Sequence, residues 1–454
     1  MNGRRERLIL AVSFAVFLLI NAYLVIIHEP WRDEIHAWLM AKYMSVPEMI
    51  EFSRYEAHPL LWHFMLIPLA RCGAPVWTMN LLSYLIVAVS AFIFLFKVRW
   101  NIAAKIITLF TIPFIYTYSS IARNYCLILL FGMIIAALYS KRYDHPFLYS
   151  IPIALMVFTH ALAWGLVAGL TITFHIYEIG KFFLRRSELD KRKICLMAGG
   201  LAVIAASTVT VIITLYGERN IGYSVEDNSD TDMLIICMII LMAVIAVSVL
   251  LRFRQNLKEM ITLVISFSFM ILVYKTVYSG VLFQRLILIQ AFLLIYALTV
   301  YGESEENKIK NLINTGVYFL SFIITGSMID TVYYIANDIT SNYSSGREMA
   351  EYIDSNLPDE KEILVDAGIF AQTMVPYTDK ELHDIRYNAN IEDALYCVNE
   401  PDKIMAAIYD IPNHDEYRGK YLLLYYAMEG APFKEIYRTS GSVTGEDYTL
   451  YYIP

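Results

Sequence analysis

Apolar runs of about 20 residues recur along most of the chain, separated by short polar stretches, and that spacing predicts helices long enough to cross a bilayer. The first covers residues 8–27. It is too long for a signal peptide and no small-residue cleavage site follows it, which predicts a retained helix. Further runs cover 75–96, 102–118, 125–139, 147–159, 161–174, 194–216, 233–251, 261–278, 281–300 and 312–329. The pattern therefore predicts about eleven spans. Residues 59–70 are apolar but too short to span comfortably, and predict an interfacial or re-entrant segment. Between the first run and this segment lies a polar loop, 28–58, in which 33–43 and 47–55 read as short helices with one apolar side. Ser45, Pro47 and Glu48 supply helix-start chemistry for the second. The joint at 147–174 is the least certain by pattern, because two short runs there also fit one long tilted helix.

From about 331 the pattern changes. Residues 346–356 read as a helix, 362–366, 421–426, 435–439 and 448–453 as strands, and 367–374 and 402–409 as helical stretches. This predicts a polytopic α-helical membrane module, 1–330, followed by a soluble α/β domain, 331–454, large enough for its own core.

Composition agrees. The 454 residues are 57% hydrophobic and 17% charged, with a mean hydropathy of +0.49, against about 25% charged in soluble domains. The net charge of −7 hides an asymmetry: from 341 onward there are about 21 acidic against about 9 basic residues. Lys and Arg gather at the N-terminus, at 97–99, 141–142, 181–193 and 252–258. For an integral membrane protein, expected in a prokaryotic plasma membrane, the positive-inside rule then predicts a cytoplasmic N-terminus and an extracytoplasmic 28–58 loop and C-terminal domain. The five cysteines show no paired spacing, which argues against disulfides and zinc. No basic patch with interleaved aromatics points to nucleic acid. Trp31, Trp38, Trp62 and Trp77 suit an aromatic belt.

Candidate chemistry collects on the predicted outer face. Residues 28–36 read His-Glu-Pro-Trp-Arg-Asp-Glu-Ile-His, placing Asp33 and Glu34 at the start of a helix, beside Arg32 and His36. Asp33 also suits simple helix capping, and the two roles are compatible. A sugar leaving a lipid phosphate needs no general acid; it needs a base for the acceptor hydroxyl and cations for the phosphate. His58 before Pro59, with Arg54 nearby, suits phosphate at a helix N-terminus, or else a surface turn. Arg123, beside Tyr125, and Arg285 stand at predicted outer helix ends, where they suit either headgroups or a shared anion site. His160 lies at the junction of the two short runs and suits either a structural hydrogen bond or the pocket. Trp62 is a candidate for sugar stacking. Asp33, Glu34 and the outer histidines also supply metal-ligand types, without HxxxH or HExxH spacing. No cofactor is required by this chemistry, and a divalent metal stays open. A membrane transporter or flippase for a lipid-linked or polar substrate is the alternative, but transporters place ionisable residues near the midplane, often within repeated halves. Here the charges gather on one face without a visible repeat.

These motifs resemble those of GT-C membrane glycosyltransferases, of the family 39 type that includes protein O-mannosyltransferases and aminoarabinose transferases. Asp33-Glu34 and Trp38 match that family's D-E-A-x-x-W, with Ile35 in place of its alanine. His-Pro-Leu-Leu-Trp at 58–62 is similar to its HPPL or KPPL segment, Ala-Arg-Asn-Tyr at 122–125 to its A-R-x-Y, and Thr-His-Ala and Gln-Arg-Leu fall at the expected later positions. The resemblance covers about residues 8–300 and is specific over the first 125. It implies a polyprenyl-phosphate-linked sugar donor, inversion at the anomeric carbon, Asp33 as base, and His58 or Arg285 on the carrier phosphate, in cell-envelope chemistry. His58 replaces a lysine of some relatives, and Asn124 an acidic residue. The C-terminal domain is not the β-trefoil of eukaryotic relatives, so the acceptor, whether glycan, lipid or protein, does not carry over.

Overall fold

The computed structural model describes residues 3–56, 58–100, 102–111, 113–215, 257–276, 287, 294, 327–366, 368–385, 388–392, 411, 415–425, 427–428, 430 and 432–454. The expected spans at 233–251, 281–300 and 312–329, the helical stretch at 402–409, and Arg285 lie outside this set, apart from scattered residues. Two compact units emerge: Met1–Tyr23, Ser53–Trp62 and Leu82–Val332 form one; Leu24–Phe52, His63–Leu81 and Tyr333–Pro454 form the other. Compactness thus cuts the chain differently from the 1–330 and 331–454 division, because most of the first polar loop groups with the C-terminal region.

The described chain is mostly helical. Its helices are α1 (Gly3–Ile27), α2 (Arg32–Tyr43), α3 (Val46–Glu56), α4 (Leu61–Arg71), α5 (Thr78–Phe96), α6 (Ile102–Leu109), α7 (Tyr125–Leu138), α8 (Pro146–Met156), α9 (Trp164–Leu170), α10 (Tyr177–Phe183), α11 (Lys191–Leu215), α12 (Leu257–Thr276), α13 (Ser327–Thr340) and α14 (Gly346–Asn356). Four described stretches are long and apolar enough to cross a membrane: Arg4–Ile27, Thr78–Phe96, Ala161–Phe183 and Lys191–Leu215. Leu8, Val12, Leu19 and Ile26 of α1 are exposed, as a lipid-facing helix requires.

Two runs differ from their expected form. The 102–118 run is broken: α6 stops at Leu109 and a π-helical turn, Pro113–Thr117, follows. Pro113 has no N–H to continue an α-helical ladder. The 161–174 run instead continues to Phe183 through a π turn, Thr171–Ile176. Glu178 is buried in that extension and pairs with Lys258 Nζ at 2.5 Å and Lys181 Nζ at 3.8 Å, so its charge is matched. The joint at 147–174 is two helices: α8 ends at Met156 and a short 3₁₀ turn, Ala161–Ala163, starts the next.

Within the first unit α8 packs along α11, and α9 along α12. Gly165 and Gly169 make the second contact close. A methyl group on Gly165 would lie 2.8 Å from Phe269 Cβ, and one on Gly169 would lie 2.8 Å from the Thr262 carbonyl oxygen. Small residues spaced by four let helix backbones approach where lipid offers no hydrophobic drive. Thr173 and Thr262 hydroxyls then meet at 2.7 Å.

In the second unit a six-stranded sheet runs in the order β3-β2-β1-β4-β6-β5, with β1 at Glu362–Asp366, β2 at Glu381–Asp384, β3 at Ala389–Asn390, β4 at Tyr421–Leu424, β5 at Lys434–Arg438 and β6 at Thr449–Tyr452. β1 is parallel to β2 and β4; the remaining pairs are antiparallel. Alternation along β1 and β4 feeds two cores. Ile363, Val365 and Leu423 pack with Met349 and Ile353 of α14. Leu364, Leu422 and Leu424 pack with Phe433 and Tyr451 on the opposite face. β2, reading Glu-Leu-His-Asp, and the two-residue β3 carry little apolar pattern; pairing with β1 makes the former a strand. The stretch from Gly368 to Tyr377 is 3₁₀ helix.

Replacing Gly169 with alanine forces a backbone carbonyl to move, and the variant is expected to lose about 1–3 kcal/mol, seen as a lower melting temperature in detergent.

Candidate functional site

His28 organises the second unit. It is buried, with Nε2 donating to Glu34 Oε2 at 3.0 Å and Nδ1 to Asp338 Oδ2 at 2.9 Å. Both nitrogens donate because the ring is protonated: burial opposes the charge, but Glu34 and Asp338 outweigh it and raise the pKa to about 10. The Tyr343 ring lies 4.6 Å from the imidazole. Glu34 is wholly buried. Its Oε1 accepts from Asn80 Nδ2 at 2.8 Å, and its Oε2 also accepts from the Trp31 N–H at 3.3 Å. Glu34 is therefore fully engaged as an acceptor.

Asp33, one residue earlier, is placed differently. It is the second residue of α2, not the residue before the helix, so α2 is started by other groups. Its side chain keeps 32% exposure, and Oδ1 meets Arg32 Nε at 3.3 Å. His36 turns the other way, buried, with Nδ1 2.7 Å from Gln372 Oε1 and its ring 5.7 Å from Phe52. At the far end of α2 a cavity of about 460 Å³ opens, with Lys42, Tyr43, Tyr377, Lys380 and Glu392 in its lining. Tyr43 donates to Glu392 at 2.6 Å.

The first unit gathers a second set. The His58 and His160 rings are 5.1 Å apart, and Tyr125 lies 5.3 Å from His160. His160 is fully buried, and its Nδ1 accepts from the Leu162 N–H at 3.1 Å. Burial, reinforced by His58 and Arg123, holds its pKa well below the ordinary histidine value, so the ring is neutral. Since Nδ1 accepts, the proton sits on Nε2, and that atom has no hydrogen-bond partner among the described residues. A buried N–H donor, a second imidazole and an arginine are thus close together. Such a set can bind an anion. Asn124, at the start of α7, donates to the Thr159 carbonyl at 2.7 Å and ties α7 to the His160 turn. Arg54 is exposed near the end of α3. Trp62 is buried, and its indole N–H has no acceptor among the described residues.

The expected site residues therefore fall into two groups: Asp33, Glu34 and His36 in one unit; Arg54, His58, Trp62, Arg123, Tyr125 and His160 in the other. Among the described residues, no group of three or more His, Cys, Asp or Glu side chains is arranged to hold a metal ion. Asn80, Asp338, Phe370, Gln372 and Glu446 were not singled out by sequence reasoning. Asn80 alone carried a readable signal, as an amide in the first turn of an apolar helix. No family model matches the chain, and no curated protein matches it.

The buried carboxylates give stability a definite pH slope. Below pH 6.5, His28 is protonated folded or unfolded and its pairing contributes fully; the contribution is lost as pH rises through about 10. Burial raises Glu446 from 4.5 to about 7, so its ionisation weakens the fold across that interval. Both slopes have the same sign. Thermal unfolding is expected to start at lower temperature at pH 9 than at pH 5, and His28→Gln is expected to flatten the alkaline part of that curve.

Proposed function

We propose that the protein is a membrane glycosyltransferase of the GT-C type with about eleven membrane helices, moving a sugar from a polyprenyl-phosphate donor to an acceptor hydroxyl on the extracytoplasmic face. Asp33 is the general base. The observation that carries this reading is the division within the acidic pair. Glu34 is buried and saturated by His28, Asn80 and the Trp31 N–H, whereas Asp33 keeps an accessible carboxylate at the first turn of a helix. A structural pair has no need for the second of these.

In this scheme the acceptor hydroxyl gives its proton to Asp33 as its oxygen attacks the anomeric carbon. The bond to the donor phosphate breaks on the opposite face, so configuration inverts. The departing lipid phosphate takes the bonding electrons and needs cations and N–H donors. His160 Nε2, His58 and Arg123 have that chemistry, with Arg285 and Arg54 as further cations. Glu34 acts through position: with His28 it fixes the start of α2. Trp62, Tyr125 and His36 have side chains suited to stacking on a sugar or hydrogen bonding to it.

The test is turnover of radiolabelled polyprenyl-phosphate sugars by purified protein. Asp33→Asn is expected to lower kcat by about a hundredfold or more with its melting temperature unchanged within a few degrees. Unaltered turnover in that variant refutes the base assignment. Glu34→Gln is expected to lower the melting temperature first, since it breaks a buried charge pair worth about 3–5 kcal/mol when one partner is removed.

A reporter enzyme active only outside the cytoplasm, fused after the C-terminal sheet, is expected to be active; silence there contradicts the orientation.

A further inference from the structure

Helix α2 begins after Trp31, whose side chain has no oxygen to accept the free N–H groups of the first turn. Two carboxylates take over that role. Glu34 reaches back to the Trp31 N–H at 3.3 Å. Glu446, from the loop before β6, sets both carboxylate oxygens 3.3 Å from the Arg32 N–H. The same carboxylate stands 3.9 Å from Arg32 Nε, which meets Asp33 Oδ1 at 3.3 Å. The Arg32 guanidinium lies over Phe370 at 4.5 Å, and Phe370 is stacked on Tyr425 at 3.6 Å. Arg32 is thus gripped from the C-terminal sheet region by a carboxylate on one side and an aromatic stack on the other.

Glu446 is itself firmly placed. It is 1% exposed and bonded to the Ser344 side chain. Its carbonyl accepts from the Ser345 N–H at 3.1 Å. The neighbouring Asp447 accepts from the Ser345 hydroxyl and from the Gly441 and Ser442 N–H groups. A loop this well fixed presents one buried carboxylate to one helix turn, the turn that carries Asp33.

We propose that Glu446 is a positioning residue for Asp33, holding the first turn of α2 and the Arg32 side chain in place and lending its negative charge to keep Asp33 an effective base. This rests on the reading of Asp33 as the base of a sugar transfer. Two effects follow from the geometry. The cap fixes where the Asp33 carboxylate points, and a misplaced base loses rate. Above about pH 7, where Glu446 is ionised, its negative charge near Asp33 strengthens that carboxylate as a proton acceptor. The charged and titratable groups facing Glu446 are Arg32 and Asp33 from α2, and Tyr425 and Tyr448 from the sheet region. Of these, Asp33 alone combines a carboxylate with substantial exposure.

The experiment compares wild type, Asp33→Asn, Glu446→Gln and Glu446→Ala in turnover of radiolabelled polyprenyl-phosphate hexoses and pentoses between pH 5 and 9. Glutamine keeps an oxygen for the Arg32 N–H and removes only the charge. Wild type is expected to gain kcat as Glu446 ionises through about pH 7, and the glutamine variant to lose that inflection. Alanine removes cap and charge, and kcat is expected to fall about tenfold. A Glu446→Gln profile identical to wild type overturns the inference, even if the alanine variant fails to fold, because glutamine isolates the charge. An active wild type with an inactive Asp33→Asn upholds the base reading independently. No turnover by wild type on any probe, or full turnover by Asp33→Asn, overturns that reading and this inference with it.

Discussion

A protonated histidine held between two buried carboxylates is the interaction on which the second unit depends. His28 follows α1 directly, Glu34 lies in α2, and Asp338 lies in α13, 310 residues further along the chain. Three helices therefore meet at one imidazolium. Such a cluster adds little net stability over a well-packed apolar alternative, because three polar groups lose their water. Its value is directional. Removing any one member leaves the others charged and buried, so the arrangement is held to a single geometry.

That geometry explains why two adjacent carboxylates have different properties. A helix turn rotates successive residues by about 100°, so Glu34 points into the cluster when Asp33 does not. The buried member fixes the helix, and the other keeps a partly exposed carboxylate beside Arg32. Arg32 completes the division, since its backbone and side chain meet Glu446 and its guanidinium also reaches Asp33. Most of the first polar loop and the C-terminal sheet region thereby belong to one compact unit, although much of the chain lies between them.

How much of this was legible depended on whether the signal was local. The helix at 346–356, the strand at 362–366 and the two short helices after α1 follow from local periodicity, and the structure has them at nearly the same bounds. Four apolar runs are likewise helices of membrane length. β2 and β3 were not legible, because a polar Glu-Leu-His-Asp becomes a strand only by pairing with β1. The break after α6 was signalled by Pro113, but hydropathy averaged across it. In the candidate site, Asp33 and Glu34 stood out as a charged pair after an apolar run. Their different burial did not, since it is decided by contacts with Asn80 and, through His28, Asp338, which are distant in sequence. Glu446 was equally silent, an ordinary acidic residue in an acidic tail.

The borrowed cap of α2 has a consequence for biosynthesis. Arg32 and Glu446 are separated by 414 residues, so the turn bearing Asp33 leaves the ribosome long before the carboxylate that accepts its N–H. Contacts of such sequence separation form late. Until then the nascent chain carries the Asp33 turn without that cap. The first turn of α2 is completed only when the loop before β6 has been made, which ties the order of that turn to the folding of the sheet.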